Sequence, residues 1–176
     1  MGGNPKHPRS RVPPPLGPPH KREGALTIAP LPSIRTAEPF ERLRDCSDSY
    51  LAQHGARPKV FLACLGRAAD FNARASFAKS LFEAGGIEAV EGKGDNLAEQ
   101  FIKSGAKLAC LCSSDKVYAS QAVDTAKALT QAGASPVYLA GKPGADRAAL
   151  ERAGVSTFLH QSCDTLSILN AAYDEI

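Results

Sequence analysis

Few side chains in this chain are of the kinds that move protons, bind metals or attack a substrate, and fewer are spaced to act together. Histidine is the most versatile of them near neutral pH. His7 and His20 lie in a Pro-rich start, and His54 falls at the end of a helical pattern. His160 alone follows a strand-like run, with Asp164 within reach as a partner. That pair has the composition for acid–base or metal work, although a polar residue on a strand's rim is the simpler account of His160. Ser113 and Ser114 have no His–acid pattern beside them, so nucleophilic catalysis has no support. Cys46, Cys64, Cys110, Cys112 and Cys163 are odd in number and contain no C-x-x-C, which speaks against a disulfide framework or a zinc site. They read as small buried hydrophobes in a reducing compartment. Neither G-x-G-x-x-G nor G-x-x-x-x-G-K-[ST] occurs, which removes two common nucleotide cradles.

The elements that would position these residues are regular from Arg57 onward. Val60–Leu65 is an apolar run ended by Gly66. Asp70 is of the right type to N-cap a helix on which Phe71, Ala75, Ala78, Leu81 and Phe82 share a face, with Gly85-Gly86 at its end. Strands are then expected at Ile87–Val90, Leu108–Cys112, Val137–Ala140 and Val155–Leu159. Helices are expected at Asp95–Lys103, Val117–Ala132, from Asp146 to Gly154, and from Cys163 or Asp164 to the end. Small residues and Gly close one helix after another, and an apolar run follows each time. Five β-α units in about 120 residues, with apolar rather than alternating strands, predict a parallel sheet covered on both faces. The expected fold is α/β, a flavodoxin-like, doubly wound, five-stranded parallel sheet. Ligands of such sheets bind over the carboxyl ends of the strands. The loops to watch are therefore Gly66–Asp70, Ser113–Lys116, Gly141–Ala145 and His160–Cys163.

Two chemistries of this fold are excluded by those loops. A phospho-acceptor receiver needs an acidic pair after strand 1, an Asp ending strand 3 and a Lys after strand 5. Leu65-Gly66-Arg67, Cys112-Ser113 and Leu159-His160-Gln161 supply none of them. A flavin-phosphate loop wants hydroxyls after strand 1, and Gly66-Arg67-Ala68-Ala69 has none.

The formal charge of +3 is a property of the start of the chain. Residues 1–24 carry five basic side chains against Glu23, leaving 16 basic and 17 acidic residues for the rest. The folded part thus has no bias that would attract a polyanion, and nucleic acid is not an expected partner. Residues 1–24 are expected to be a disordered Pro-rich basic tail, since seven prolines by residue 19 forbid an amphipathic import helix. Residues 25–35 look extended. Thr36 is placed to N-cap a helix to about His54, on which Phe40, Leu43, Tyr50 and Leu51 form the apolar side. Residues 25–56 then form a linker with one amphipathic helix before a domain at 57–176. No run of eighteen apolar residues occurs, so no membrane span is expected and the location is read as cytoplasmic.

Two stretches carry a resemblance. Arg57-Pro-Lys-Val-Phe-Leu-Ala-Cys-Leu-Gly66, continuing through Asp70-Phe-Asn-Ala-Arg-Ala75, resembles the C-terminal, cobalamin-binding-like domain of methylmalonyl-CoA mutase small subunits. Leu31–Asp45 resembles the connector before that domain. Cobalamin-binding members carry D-x-H-x-x-G after strand 1, S-x-L after strand 3 and Gly-Gly after strand 4. Here the matching positions are degenerate. Asn72 stands for the His and Ala75 for the Gly, Ser113 is kept before Ser114-Asp115, and Gly141 is one glycine of a pair, while Asp70 is retained. The resemblance implies a non-catalytic scaffold in a complex that isomerises methylmalonyl-CoA and succinyl-CoA with adenosylcobalamin. The large subunit is the implied partner. No catalytic residue, no metal ligand and no cofactor bound by this chain are expected. A TIM-barrel domain, upstream in the family, cannot fit into 56 residues. The alternatives are a free-standing cobalamin carrier and a regulatory adaptor docking through the helix Ala37–His54.

Overall fold

Apolar strands without alternation are stable only where both faces of their sheet are covered. The computed structural model describes residues 37–176 and meets this demand with eleven elements. They are α1 (Glu38–His54), β1 (Lys59–Cys64), α2 (Ala68–Ala84), β2 (Glu88–Lys93), α3 (Leu97–Ser104), β3 (Leu108–Cys112), α4 (Asp115–Gln131), β4 (Val137–Ala140), α5 (Arg147–Arg152), β5 (Val155–Leu159) and α6 (Thr165–Asp174). All strand pairs are parallel and the order is β2-β1-β3-β4-β5, the expected flavodoxin-like winding. The expected tail, the extended 25–35 segment and Thr36 lie outside the described residues. Ala37 holds the cap position of α1.

Alternation along each strand separates two cores. Val60, Leu62, Cys64, Leu108, Cys110, Cys112 and Tyr138 face α1, α2 and α6. Phe61, Ala63, Leu65, Ala109, Leu111, Val137 and Leu139 face α3, α4 and α5. Alanines are interleaved with larger residues on the helix sides of both cores, at Ala75 and Ala78 on α2 and Ala122 and Ala126 on α4, and let the helices lie close on the sheet.

Gly85-Gly86 does more than end a helix. A Cβ on Gly85 would sit 2.9 Å from Leu169 of α6, and one on Gly86 would sit 2.7 Å from Ser47 of α1. The pair therefore admits α6 and α1 to the same turn. Tyr173 donates to the Gly85 carbonyl at 2.7 Å and Ser47 to the Gly86 carbonyl at 2.6 Å. Arg57, just before β1, donates to Ser47 Oγ at 2.8 Å and to Asp48 at 2.5 Å. With Leu43 in the core, α1 is packed on the domain that follows it.

Boundaries moved where charge masked a pattern. β2 runs on to Lys93, because an edge strand tolerates Glu91 and Lys93 on its solvent side. α4 begins two residues early, since Asp115-Lys116 is a solvated first turn. The reading of all five cysteines as buried is corrected. Cys64, Cys110 and Cys112 are buried, Cys163 is half-buried, and Cys46 is exposed on the outer side of α1. Burial, then the neighbouring Cys112, pushes the Cys64 thiol up to about 12. Among the described residues no helix is long and apolar enough to cross a membrane.

Tyr138 on β4 packs edge-on against Phe82 with its hydroxyl buried and without a partner among the described residues. A buried unbonded hydroxyl is a net cost. Tyr138→Phe should raise stability to urea by up to about 1 kcal/mol. A loss of that size instead would reveal a hydrogen bond to this oxygen.

Candidate functional site

The loops that follow β1, β3, β4 and β5 surround the carboxyl ends of the strands, and the motif positions lie among them. Each is held by a definite local cause. Asp70 is not the cap of α2, as expected, but its third residue, because Ala68-Ala69 continues the helix backward to Arg67. Its Oδ2 accepts from the Arg67 backbone N–H at 3.1 Å, so it still satisfies one of the unpaired donors of that helix end. Asn72 lies in the same first turns and is exposed. Residues two apart on a helix do not face each other, so Asp70 does not orient Asn72.

Ser113 is fully buried and uses every polar atom. Its Oγ donates to the Leu65 carbonyl at 2.7 Å, tying the end of β3 to the end of β1. Its N–H donates to the Tyr118 hydroxyl at 2.8 Å, and its carbonyl accepts from Arg74 Nη1 at 2.7 Å. The Tyr118 hydroxyl lies 2.9 Å from both the Leu111 and Ala140 carbonyls, which share its single proton. Burial, with Cys112 and Cys110 close by, raises the pKa of this phenol well above its ordinary value, so it remains a donor. Sequence reasoning missed Tyr118. Its only signal was a tyrosine on the inward face of an Ala-rich helix, one turn after the strand.

Arg74, in the second turn of α2, crosses to α4. Its Nη2 donates to Asp115 at 2.6 Å and its Cζ lies 5.1 Å from the centre of the Tyr118 ring. Burial opposes the charge, but Asp115 and Tyr118 outweigh it and the pKa of Arg74 is raised. Asp115 is 83% exposed, so water screens this pair. Gly141, at φ 154°, would place a Cβ 3.1 Å from Arg74 Nη1. Two clefts flank the arginine. One of about 420 Å³ is lined by Tyr118, Leu139, Pro143 and Leu150. One of about 350 Å³ is lined by Ala73, Phe77, Leu159 and His160. Arg74 and Lys142 border both.

The His160–Asp164 pair that the spacing allows does not form, and His160 is the polar rim residue of the simpler account. Asp164 caps α6, accepting from Ser167 N–H at 3.2 Å and Ser167 Oγ at 2.7 Å, and these bonds hold its carboxyl below the ordinary range. His160 Nδ1 accepts from the Ser162 N–H at 3.3 Å. Among the described residues no three His, Cys, Asp or Glu side chains are grouped to hold a metal.

Because one phenol serves two carbonyls and an amide, Tyr118→Phe should cost about 2 kcal/mol in urea unfolding. A change below about 0.5 kcal/mol would mean that water replaces the hydroxyl at this edge.

No protein-family model matches the chain. It is 44% identical over 164 residues to a methylmalonyl-CoA mutase small subunit of Streptomyces virginiae, covering 90% of this chain and 26% of the relative. The small subunit of Propionibacterium freudenreichii subsp. shermanii is 41% identical over 145 residues, covering 80% and 22%. That of Porphyromonas gingivalis is 31% identical over 153 residues, covering 85% and 24%. Among solved structures, a cobalamin-binding protein from Desulfitobacterium hafniense DCB-2 superposes with a TM-score of 0.47 at 18% identity, over 78% of this chain and 67% of that one. The chain spans about a quarter of the length of the curated relatives it matches. Over that segment it is homologous to the small subunits of methylmalonyl-CoA mutase.

Proposed function

We propose that the chain is the C-terminal part of a methylmalonyl-CoA mutase small subunit and works as a scaffold without a reacting residue of its own. In this reading it folds beside the large subunit, which carries adenosylcobalamin for the isomerisation of methylmalonyl-CoA and succinyl-CoA. Residues 57–176 are the degenerate cobalamin-binding-like domain, and α1 packs on it as an accessory helix.

One observation carries the proposal: the place of the lower cobalt ligand is taken by Asn72, exposed on a continuous helix, with Asp70 turned away to bond Arg67. A neutral imidazole oriented by a carboxylate is a good ligand for such a metal, and an amide is a poor one. The residues present do not fit cobalt ligation. A carrier that binds cobalamin with the vitamin's own base on cobalt would need an open cleft at the strand ends. Arg74 crosses that space to Ser113 and Asp115, which weighs against the carrier.

Size-exclusion of the purified chain mixed with a cobalamin-loaded mutase large subunit, followed by corrin absorbance and protein mass, tests the proposal. Co-elution of both proteins is the expected result. A chain that elutes alone yet takes corrin absorbance from free cobalamin would replace the scaffold with the carrier. A chain that elutes alone and colourless would remove both.

A further inference from the structure

The two clefts beside Arg74 share a wall made of Arg74 and Lys142. The guanidinium meets four neighbours between the two clefts. Its Nη1 meets the Ser113 carbonyl, its Nη2 meets Asp115, its Cζ lies 5.1 Å from the centre of the Tyr118 ring, and Gly141 leaves it room where any other residue would project a Cβ. Ser113 and Gly141, two of the positions singled out by the resemblance, thus have a common occupant inside the chain. Asp115 is 83% exposed and the Arg74 side chain 27%, so the guanidinium sits at a partly dry edge where a planar fork of donors is favoured over a point charge.

We infer that Arg74 is the built-in occupant of a single crevice over the ends of β3, β4 and β5, and that the crevice without it is a site for a planar monocation of the guanidinium or amidinium class. The inference rests on the reading of the domain as one without its own cofactor, and it names what fills the space. Aromatic face, carbonyl and carboxylate converge there on a flat cation with N–H donors in its plane.

Chemical rescue tests it on the full chain. Arg74→Ala should lower the thermal midpoint by about 3 °C or more. Millimolar ethylguanidinium should raise that midpoint again, while ethylammonium, equal in charge but without the planar fork, should not. The parent chain and Arg74→Met, whose side chain refills the volume, should respond to neither ion. Equal responses of Arg74→Ala to both ions, or an equal response of the parent chain, would overturn the inference. If Arg74→Ala does not fold, Gly141→Ala gives an independent measurement. Its added methyl presses on Nη1, so its midpoint should fall further in the parent than in an Arg74→Lys background. A fall of the same size in both backgrounds would overturn the inference. Neither failure bears on co-elution with a large subunit, which tests the scaffold separately.

Discussion

A parallel sheet creates a difficulty where its strands stop: the last carbonyls lose their ladder partners while still walled in by helices. In this protein three side chains resolve it. Ser113 bonds Leu65, Tyr118 bonds Leu111 and Ala140, and Arg74 bonds Ser113, so the ends of β1, β3 and β4 are closed by protein rather than by water or a ligand. The positions of α2 and α4 follow from this, because the phenol must bridge the two strands that α4 connects and the guanidinium must reach the end of β3, which α2 does not adjoin in sequence. An unbonded buried carbonyl costs about 1–3 kcal/mol, so the closure is a condition of the fold rather than an ornament of it.

The opposite edge is closed by other means. There the backbone itself makes room, through Gly85-Gly86, and the polar groups of α1 and α6 descend on one turn. Arg57 binds α1 immediately before the chain enters β1. The molecule is thus tied at the amino edge through glycine and small hydroxyls, and at the carboxyl edge through long side chains that span helices. Ser113 and Gly141 serve the packing of this chain's own edge, the first by bonding Leu65 and the second by leaving room for Arg74.

The strands, the parallel order and the final helix were legible because apolar runs, glycine stops and an Asp cap all pointed the same way. The last helix was expected to start at Cys163 or Asp164; it starts at Thr165 with Asp164 as its cap. Asp70 was misread because Ala68 and Ala69 give no polar signal, so the helix start seemed to wait for the first acid. His160 and Asp164 look like a pair by spacing, but a cap bond to Ser167 claimed the carboxylate first. The convergence on Arg74 was only half visible. The length and charge of Arg74 can be read from the sequence, whereas the phenol that receives it is hidden on the inward face of α4.

The placement of sulfur has a consequence for how the folded chain ages. Three thiols lie in the dry core beneath α2, with Cys110 and Cys112 Sγ atoms 3.9 Å apart, and Cys64 is held protonated well past neutrality. Thiolate, not thiol, reacts with peroxides and alkylating agents. Oxidant reaching the native surface is therefore met by exposed Cys46 and half-buried Cys163, while the three core sulfurs are modified only in molecules whose sheet has opened. The pattern of sulfur damage on a sample is then a cumulative record of how often α2 has lifted from the sheet.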